Sequence, residues 1–550
     1  MSKRLNAGIL LGVLAFLILC PLVSIFLKAV MVDGYLDFMH AVQIINDSGS
    51  LEMIGNSLLL SLLVVLLSTV IAFPLAWLFS RTKFAHYKVF DILFMVPFMT
   101  PPYIDAMGWI LFMQKNGLFM QIFKGSSNPK WFFSLFGLVL VMSFHIFPFL
   151  YTILRNAMLR IPSSLEESGA VYGAGFHQRM QKIFLPLVSG NYAIGALLVF
   201  VKTLSEYGTP YTLGKRINFE VFTTQIHRYA TVAPVAFDKA AALASVLAGI
   251  CILMWFLQNV ITARHTYNLV GTRGSRRMET KLSRGGTIAA WIFVIAVIVI
   301  AIGIPYFSII ATSFIKLRGY GLQAGNFTFQ NYIDLFSESA KGLHAIGNSL
   351  FLAFSSATIC SVLGTMIVLC VRSLHSKSGK VLEAAGLMPQ MLPAIVMVIG
   401  IMLFWNAIYK AIPLYNTMGI MVLAYTILYL PYTIQYVTSS ISQIGTSLES
   451  AGRVFGGSPW YVFRRITFPL IRKGILTGWS MIFIISIREL VTASLIAPPN
   501  VLVISTFIMR EFEQGSVSIG MCMAVLTVLF TVTALLIMNR ITGESAVDSQ

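Results

Sequence analysis

The chain has 550 residues, 57% hydrophobic and 11% charged, with a mean hydropathy of +0.81. A soluble domain cannot hide that much apolar surface, so this is an integral membrane protein. The net charge of +18 does not point to nucleic acid, because the Lys and Arg residues are scattered over short loops rather than gathered on one amphipathic face.

Apolar stretches long enough to cross a bilayer are predicted over 7–29, 57–80, 89–112, 136–157, 190–210 and 237–262. A second set is predicted over 287–313, 346–371, 382–406, 417–438, 474–497 and 519–539. The expected fold is therefore an all-α integral membrane protein with twelve transmembrane helices in two tandem six-helix halves. The first stretch follows Lys3 and Arg4 as a signal peptide would, but its apolar run is too long, so it is read as an anchor. Basic residues orient the chain. Arg81, Lys83 and Lys88, Arg155, Arg160, Arg179 and Lys182, then Arg264 to Arg284, Arg372 to Lys380 and Arg453 to Lys473 all fall on the side of the N-terminus. Both termini are expected in the cytoplasm. Cys20, Cys251, Cys360, Cys370 and Cys522 all sit in apolar stretches without a CxxC pair and read as small buried apolar residues.

The halves are copies in one orientation. Ile54-Gly55-Asn56-Ser57-Leu58 recurs as Ile346-Gly347-Asn348-Ser349-Leu350, an offset of 292 (346 − 54), which also carries Pro101 onto Pro393. From Leu165 to Glu206 the offset is 283 (448 − 165), so the first half holds about nine extra residues, placed in the loop around Lys115 to Trp131. The halves are read as 1–270 and 287–550, joined by a Gly-, Ser- and Arg-rich linker at 271–286. Parallel duplication implies a pseudo-two-fold axis along the membrane normal with a pathway between the halves.

One loop of each half carries the same pattern on the cytoplasmic side. Leu165-Glu166-Glu167-Ser168-Gly169-Ala170-Val171-Tyr172-Gly173 leads to Ile183-Phe184-Leu185-Pro186. Leu448-Glu449-Ser450-Ala451-Gly452-Arg453-Val454-Phe455-Gly456 leads to Ile466-Thr467-Phe468-Pro469. Ser163…Glu166 and Thr446…Glu449 read as helix starts, so Glu166 and Glu449 serve either as caps or as partner contacts. The glycines permit a sharp turn into a second short helix over 176–184 or 460–468, and the prolines fit the first turn of the next span. Two matched sockets on one face suggest two identical partners.

These segments resemble the EAA loop of ATP-binding-cassette (ABC) importer permeases, with Ser450 in the Glu slot and Phe468 in place of Leu. The span layout is similar too, and Ser205-Glu206-Tyr207-Gly208-Thr209-Pro210 and Arg488-Glu489-Leu490 look like segments of the fused, two-copy permeases of ferric-iron importers. The resemblance implies type I permease halves in a bacterial inner membrane, an ABC ATPase bound at each loop, and a solute-binding protein outside. Docking would fall to Glu166, Glu167, Gly173, Pro186, Glu449, Ser450, Gly456 and Pro469. Motion in the partners would drive alternating access, biased by differential binding in two states.

The chain contains no G-x-x-x-x-G-K-[ST], so ATP and Mg would be bound by the partners, and no cofactor, catalytic residue or metal site is expected in this chain, which reads as a permease rather than an enzyme. His145 and His177 lack metal-ligand spacing. Ionisable residues within spans mark pathways or structural pairs. Asp105, Lys202, Glu206, Arg488 and Glu489 are the candidates, Lys202 being placed to pair with Glu206 four residues on. Carboxylates with Tyr103, Tyr207 and Tyr211 suit a hard cation such as Fe³⁺, while Lys202 and Arg488 suit a phosphate or phosphonate. Ferric iron is the expected cargo by resemblance, with phosphonates, phosphate esters, thiamine and polyamines as alternatives. A twelve-span secondary transporter is the rival architecture.

Overall fold

A computed structural model describes residues 3–542 except 33, 125–126, 265–278, 338–340, 375–376 and 444. Half of the expected linker, 271–278, therefore lies outside the described residues. Ten helices are long and apolar enough to cross a membrane, among them Leu5–Val30, Ser48–Arg81, Leu135–Leu159, Phe237–Ala263, Arg284–Phe314, Gly342–Leu374 and Met418–Ser442. The third stretch of each half is not a continuous span. In the first half it is Val89–Met99 followed by Pro102–Met113; in the second, Lys377–Met391 and Ala394–Ala407 meet at 107°. Both breaks fall at the repeated prolines: Pro101 and Pro393 are each the last residue before a helix resumes, with ψ of 132° and 140°. A residue that precedes another proline, as Pro101 does, is held out of the helical region, and proline itself donates no N–H to continue the turn before it.

The chain forms two compact units. One comprises Met1–Asp47, Gln225–Gly249 and Tyr332–Ser549; the other comprises Ser48–Thr224 and Ile250–Asn331. The sequence halves and the packed units thus differ, because each half's first span packs within the other half's unit. In the first unit Cys20–Val30 lies along Ala394–Ala407, with Phe16 edge-on to Phe404 and Trp405. In the second, Ile304–Phe314 lies along Pro102–Met113. Both seams rest on one pair of residues. A Cβ on Gly400 would sit 2.7 Å from the Pro21 carbonyl oxygen, and one on Gly108 would sit 2.6 Å from that of Pro305. Only glycine lets the backbones come this close.

Four prolines at repeat-equivalent positions share a further device. Ahead of Pro21, Pro186, Pro305 and Pro469 the helix widens by one residue: the N–H groups of Cys20, Leu185, Ile304 and Phe468 donate to carbonyls five residues back. Proline within a helix lacks a donor and presses on the carbonyl four residues before it, and a widened turn relieves both without ending the helix. Pro186 and Pro469 therefore do not begin the fifth span, as the sequence suggested. They lie inside a helix that runs on from the preceding loop, as Phe176–Leu204 and Pro459–Ile487.

Candidate functional site

The two loops fold alike. Ser163–Val171 and Thr446–Val454 are short helices that end in Gly173 and Gly456, both at φ +80°, a left-handed conformation that favours glycine. In each, the next residue's N–H bonds back into the helix, Ala174 to the Gly169 carbonyl at 2.9 Å and Gly457 to that of Gly452 at 3.0 Å. Gly169 and Gly452 face Ile183 and Ile466, whose Cδ1 atoms would lie 2.8 and 2.7 Å from an added Cβ. The small residue of each motif is thus what seats the short helix on the long one.

The expected caps are displaced by one residue. The helices begin at Ser163 and Thr446, so Pro162 and Gly445 occupy the cap positions, where neither has a side chain to accept a backbone N–H. Glu449 does not cap. Its carboxylate meets Arg372 at 3.4 Å and accepts from the Thr467 hydroxyl at 3.3 Å, tying the short helix to the end of Gly342–Leu374 and to the widened turn. The side chain of Glu166 lies outside the described residues. Glu167 and Ser450 are exposed at equivalent positions.

Arg372 also donates to the Ile441 carbonyl at 2.7 Å. In the first half Arg81 is buried and donates to the carbonyls of Met158 at 2.8 Å and Ile161 at 3.0 Å, with its guanidinium over the Phe184 ring. Met158 and Ile441 are repeat equivalents (158 + 283 = 441), so one arginine in each half fixes the end of the fourth span where the loop departs. These arginines were read from the sequence only as orienting charge. The tips of the loops were missed altogether: Tyr172 and Phe455 are 91% and 89% exposed, each preceded by an exposed valine, Val171 or Val454. Two large apolar side chains just before a turn glycine, on a loop otherwise polar, were the available signal.

The second constellation lies where the fifth span breaks. Leu185–Leu204 and Phe468–Ile487 stop short, and the chain resumes as Gly208–Thr212 and Val491–Ile496. Glu206 and Glu489 stand in the gaps. Both oxygens of Glu206 accept the Thr209 N–H at 3.1 Å; those of Glu489 accept the Thr492 N–H at 3.1 and 2.9 Å. Each carboxylate satisfies the first free donors of the helix that restarts after it. The main-chain carbonyls of Glu206 and Glu489 accept hydroxyl bonds from Thr223 and Ser505.

The repeated Gly-Asn-Ser motif closes the same region. Asn56 and Asn348 donate to the Glu220 and Leu502 carbonyls at 3.3 and 2.9 Å, while Ser57 and Ser349 each accept a backbone N–H, from Phe222 and Ile504, at 2.8 Å. The motif is thus a latch from the second span onto the segment that follows the break.

Within this common frame the polar neighbours differ. In the first half His145, Lys202 and Glu206 line one small cavity, and His145 Nδ1 lies 3.9 Å from the carboxylate of Asp105, which is 2% exposed. Lys202 does not pair with Glu206: no ion pair joins them among the described residues, and the ammonium sits 5.6 and 5.0 Å from the ring centres of Phe98 and Phe149. Lys202 is nonetheless accessible at the surface. An ammonium on a membrane span costs about 3 kcal/mol where it faces lipid. Tyr103 and Tyr207 are buried beside the break. In the second half Arg488 ends the fifth span within electrostatic reach of Tyr429 and Tyr432. Among the described residues no three His, Cys, Asp or Glu side chains are placed to hold a metal ion.

Residues 65–267 and 361–543 each match the family described as the binding-protein-dependent transport system inner membrane component. The chain belongs to that family. It is the multi-pass inner-membrane permease of an ABC importer, fused from two copies, and a transport protein rather than an enzyme; such permeases work with an ATPase and a solute-binding protein. It is similar to the ferric transport system permease protein FbpB of Actinobacillus pleuropneumoniae, 24% identical over 97% of this chain and 77% of the relative. The Fe(3+)-transport system permease protein FbpB 2 of Haemophilus influenzae is 23% identical over 95% of this chain and 96% of its own length. The sulfate transport system permease protein CysW of Escherichia coli is 27% identical, but 47% of this permease accounts for 90% of it. A single-copy relative thus corresponds to about one half.

Proposed function

We propose that this permease carries ferric iron, delivered by the solute-binding protein, and that it alternates between two access states as an ATPase subunit grips each paired loop. Both termini face the cytoplasm in this reading, and ATP and Mg are bound by the partners. The observation that supports it best is the pair of loops. Each is a short helix seated by a glycine, anchored at its base by an arginine, and exposing a valine and an aromatic residue at its tip. A rigid lever with an apolar end is suited to enter a groove in a partner and to pass a push into the fifth span, with which each loop is continuous. Glu167, Ser450, Gly173, Gly456, Pro186 and Pro469 belong to these levers, with Glu449 holding one of them in place.

Ferric iron as the cargo is supported by the relatives that align along nearly the whole chain, whose names give that cargo. Asp105, Lys202 and Glu206 of the first half, with Arg488 and Glu489 of the second, are assigned to the pathway because ionisable side chains within apolar spans, buried as Asp105 and Glu489 are or accessible as Lys202 is, commonly mark a route for cargo. Two measurements test the reading. Gly173→Val with Gly456→Val should reduce cargo-stimulated ATP hydrolysis at least about tenfold in the reconstituted complex while basal hydrolysis persists, since a β-branched residue is strained at φ +80°; unaltered stimulation refutes the lever. Calorimetry on the cognate solute-binding protein should show Fe³⁺ binding; a sulfate or phosphonate ligand instead would reassign the cargo and leave the lever intact.

A further inference from the structure

The two loops share a fold but not a surface. Each exposes a valine and a ring at its tip, Val171 and Tyr172 in the first, Val454 and Phe455 in the second. Beyond the turn glycine they part. In the second loop Trp460 and Tyr461 follow, 67% and 55% exposed. The offset of 283 places His177 and Gln178 at those positions in the first loop, both exposed and both polar. Tyr172 is the one exposed aromatic ring among the described side chains of 163–184, whereas 446–467 exposes Phe455, Trp460 and Tyr461.

Two of these rings are also held ready. The Ser458 hydroxyl accepts the Tyr461 N–H at 3.2 Å and Pro459 takes a first-turn position, so the turn that carries Trp460 and Tyr461 is capped at its start. Trp460 packs against Phe463 at 5.5 Å between ring centres, and Phe463 against Phe468 at 5.9 Å. Gly175 and Phe176 stand where the second loop has Ser458 and Pro459, and Met180 and Leu185 where it has Phe463 and Phe468. A surface fixed before it meets a partner loses less freedom on binding.

Trp460 precedes residue 474, where the apolar stretch of the fifth span begins, by fourteen residues (474 − 460), about 21 Å of helix. The polar layer on one side of a bilayer is about 5–8 Å deep, so these rings are not an interfacial belt. The first loop has one advantage in charge: Glu167 stands where the second has Ser450, both exposed. An exposed carboxylate at the rim of a contact speeds encounter more than it holds the partner, whereas buried rings, tryptophan and tyrosine foremost, carry most of a contact's energy.

We propose that the permease holds its two ATPase subunits unequally, the second-half loop being the tighter seat and the one occupied before the other. The proposal rests on the reading of both loops as ATPase grips. One groove on the ATPase then meets Phe455, Trp460 and Tyr461 in one case, and Tyr172 with His177 and Gln178 in the other. An importer so built assembles in a fixed order, and the subunit on the first-half loop is the one that exchanges.

The test titrates the full permease, in neutral-lipid nanodiscs and without nucleotide, with the ATPase that copurifies with it. Native mass spectrometry counts complexes with none, one and two subunits. Two intrinsic dissociation constants at least about tenfold apart are expected. Trp460→Ala with Tyr461→Ala should bring the tighter step to within about threefold of the weaker. His177→Trp with Gln178→Tyr should tighten the weaker step at least about threefold, a gain that a misfolded variant cannot give. Equal steps in the wild type overturn the proposal alone. So does an alanine pair that leaves both steps as they were and instead lowers the yield of inserted permease, which gives the rings to the membrane. A wild-type permease to which no ATPase binds removes both the proposal and the reading beneath it.

Discussion

At the break in the fifth span, Glu206 and Glu489 take the same backbone hydrogen bonds from Thr209 and Thr492, and the same Asn-Ser latch closes over each. Around them the two halves part company. Asp105, His145 and Lys202 of the first half correspond to Met397 (offset 292), Leu428 and Ile485 (offset 283) in the second, while Ser205 corresponds to Arg488. Duplicated hydrogen bonds therefore hold each break, and unduplicated charges distinguish the two halves. Residues that satisfy the backbone recur because both copies of the chain break at the same place. Residues that make no such backbone bonds are free to differ, and here a buried acid, a histidine and a lysine lie in the first half.

Exchanging the differing residues gives the largest expected effects. Ile485→Lys places an ammonium in a half that lacks the Phe98 ring, Gln390 standing at that position (offset 292), and should lower membrane stability by about 3 kcal/mol, measured as loss of inserted, protease-resistant permease. Lys202→Ile should leave assembly intact and reduce uptake severalfold. If the two exchanges have the same effect, the asymmetry has no functional content.

Next come the shared carboxylates. Glu206→Ala and Glu489→Ala each remove a charged acceptor from helix N–H groups and should cost about 1.5–3 kcal/mol apiece, read from thermal denaturation of the purified complex. Near-equal losses support a framework role for both; a loss confined to Glu489 would mean that only the second half depends on its cap. The conservative pair Glu206→Gln and Glu489→Gln, which keeps an acceptor oxygen, should impair uptake more than stability if the charge contacts cargo.

The seams between first and third spans should behave symmetrically. Gly108→Ala and Gly400→Ala put a Cβ within 2.6–2.7 Å of a proline carbonyl, and each should destabilise by about 1–3 kcal/mol through backbone displacement. The smallest effect is expected from Thr467→Val, which removes the hydroxyl bond to Glu449 but leaves Arg372 in place. About 1 kcal/mol of local stability should be lost, seen as faster hydrogen exchange over 446–455.

Much of the frame was legible in the chain. Hydropathy located the spans, the offsets of 292 and 283 identified the copies, and Gly173 and Gly456 marked the turns, because each of these is a local property of residue type. The breaks at Pro101 and Pro393 could be anticipated for the same reason. The continuity of the loops with the fifth spans could not. A proline usually ends or begins a helix, and only a turn widened by one residue carries the helix past it. Lys202 and Glu206 share a helical spacing that suggests a pair, yet the break at Ser205 turns Glu206 toward Thr209 and leaves Lys202 to Phe98 and Phe149.

The order of residues alone determined that this is a duplicated helical membrane protein with two matched loops on one face, because bilayer thickness, loop charge and repetition are written along the chain. Tertiary structure decided that the packed units are not the sequence halves, with each first span seated on the third stretch of the other copy through a glycine–proline contact. It also decided which repeated residues hold backbone and which charges are buried. Such choices depend on which groups meet across several hundred residues, and spacing along one helix carries no record of them.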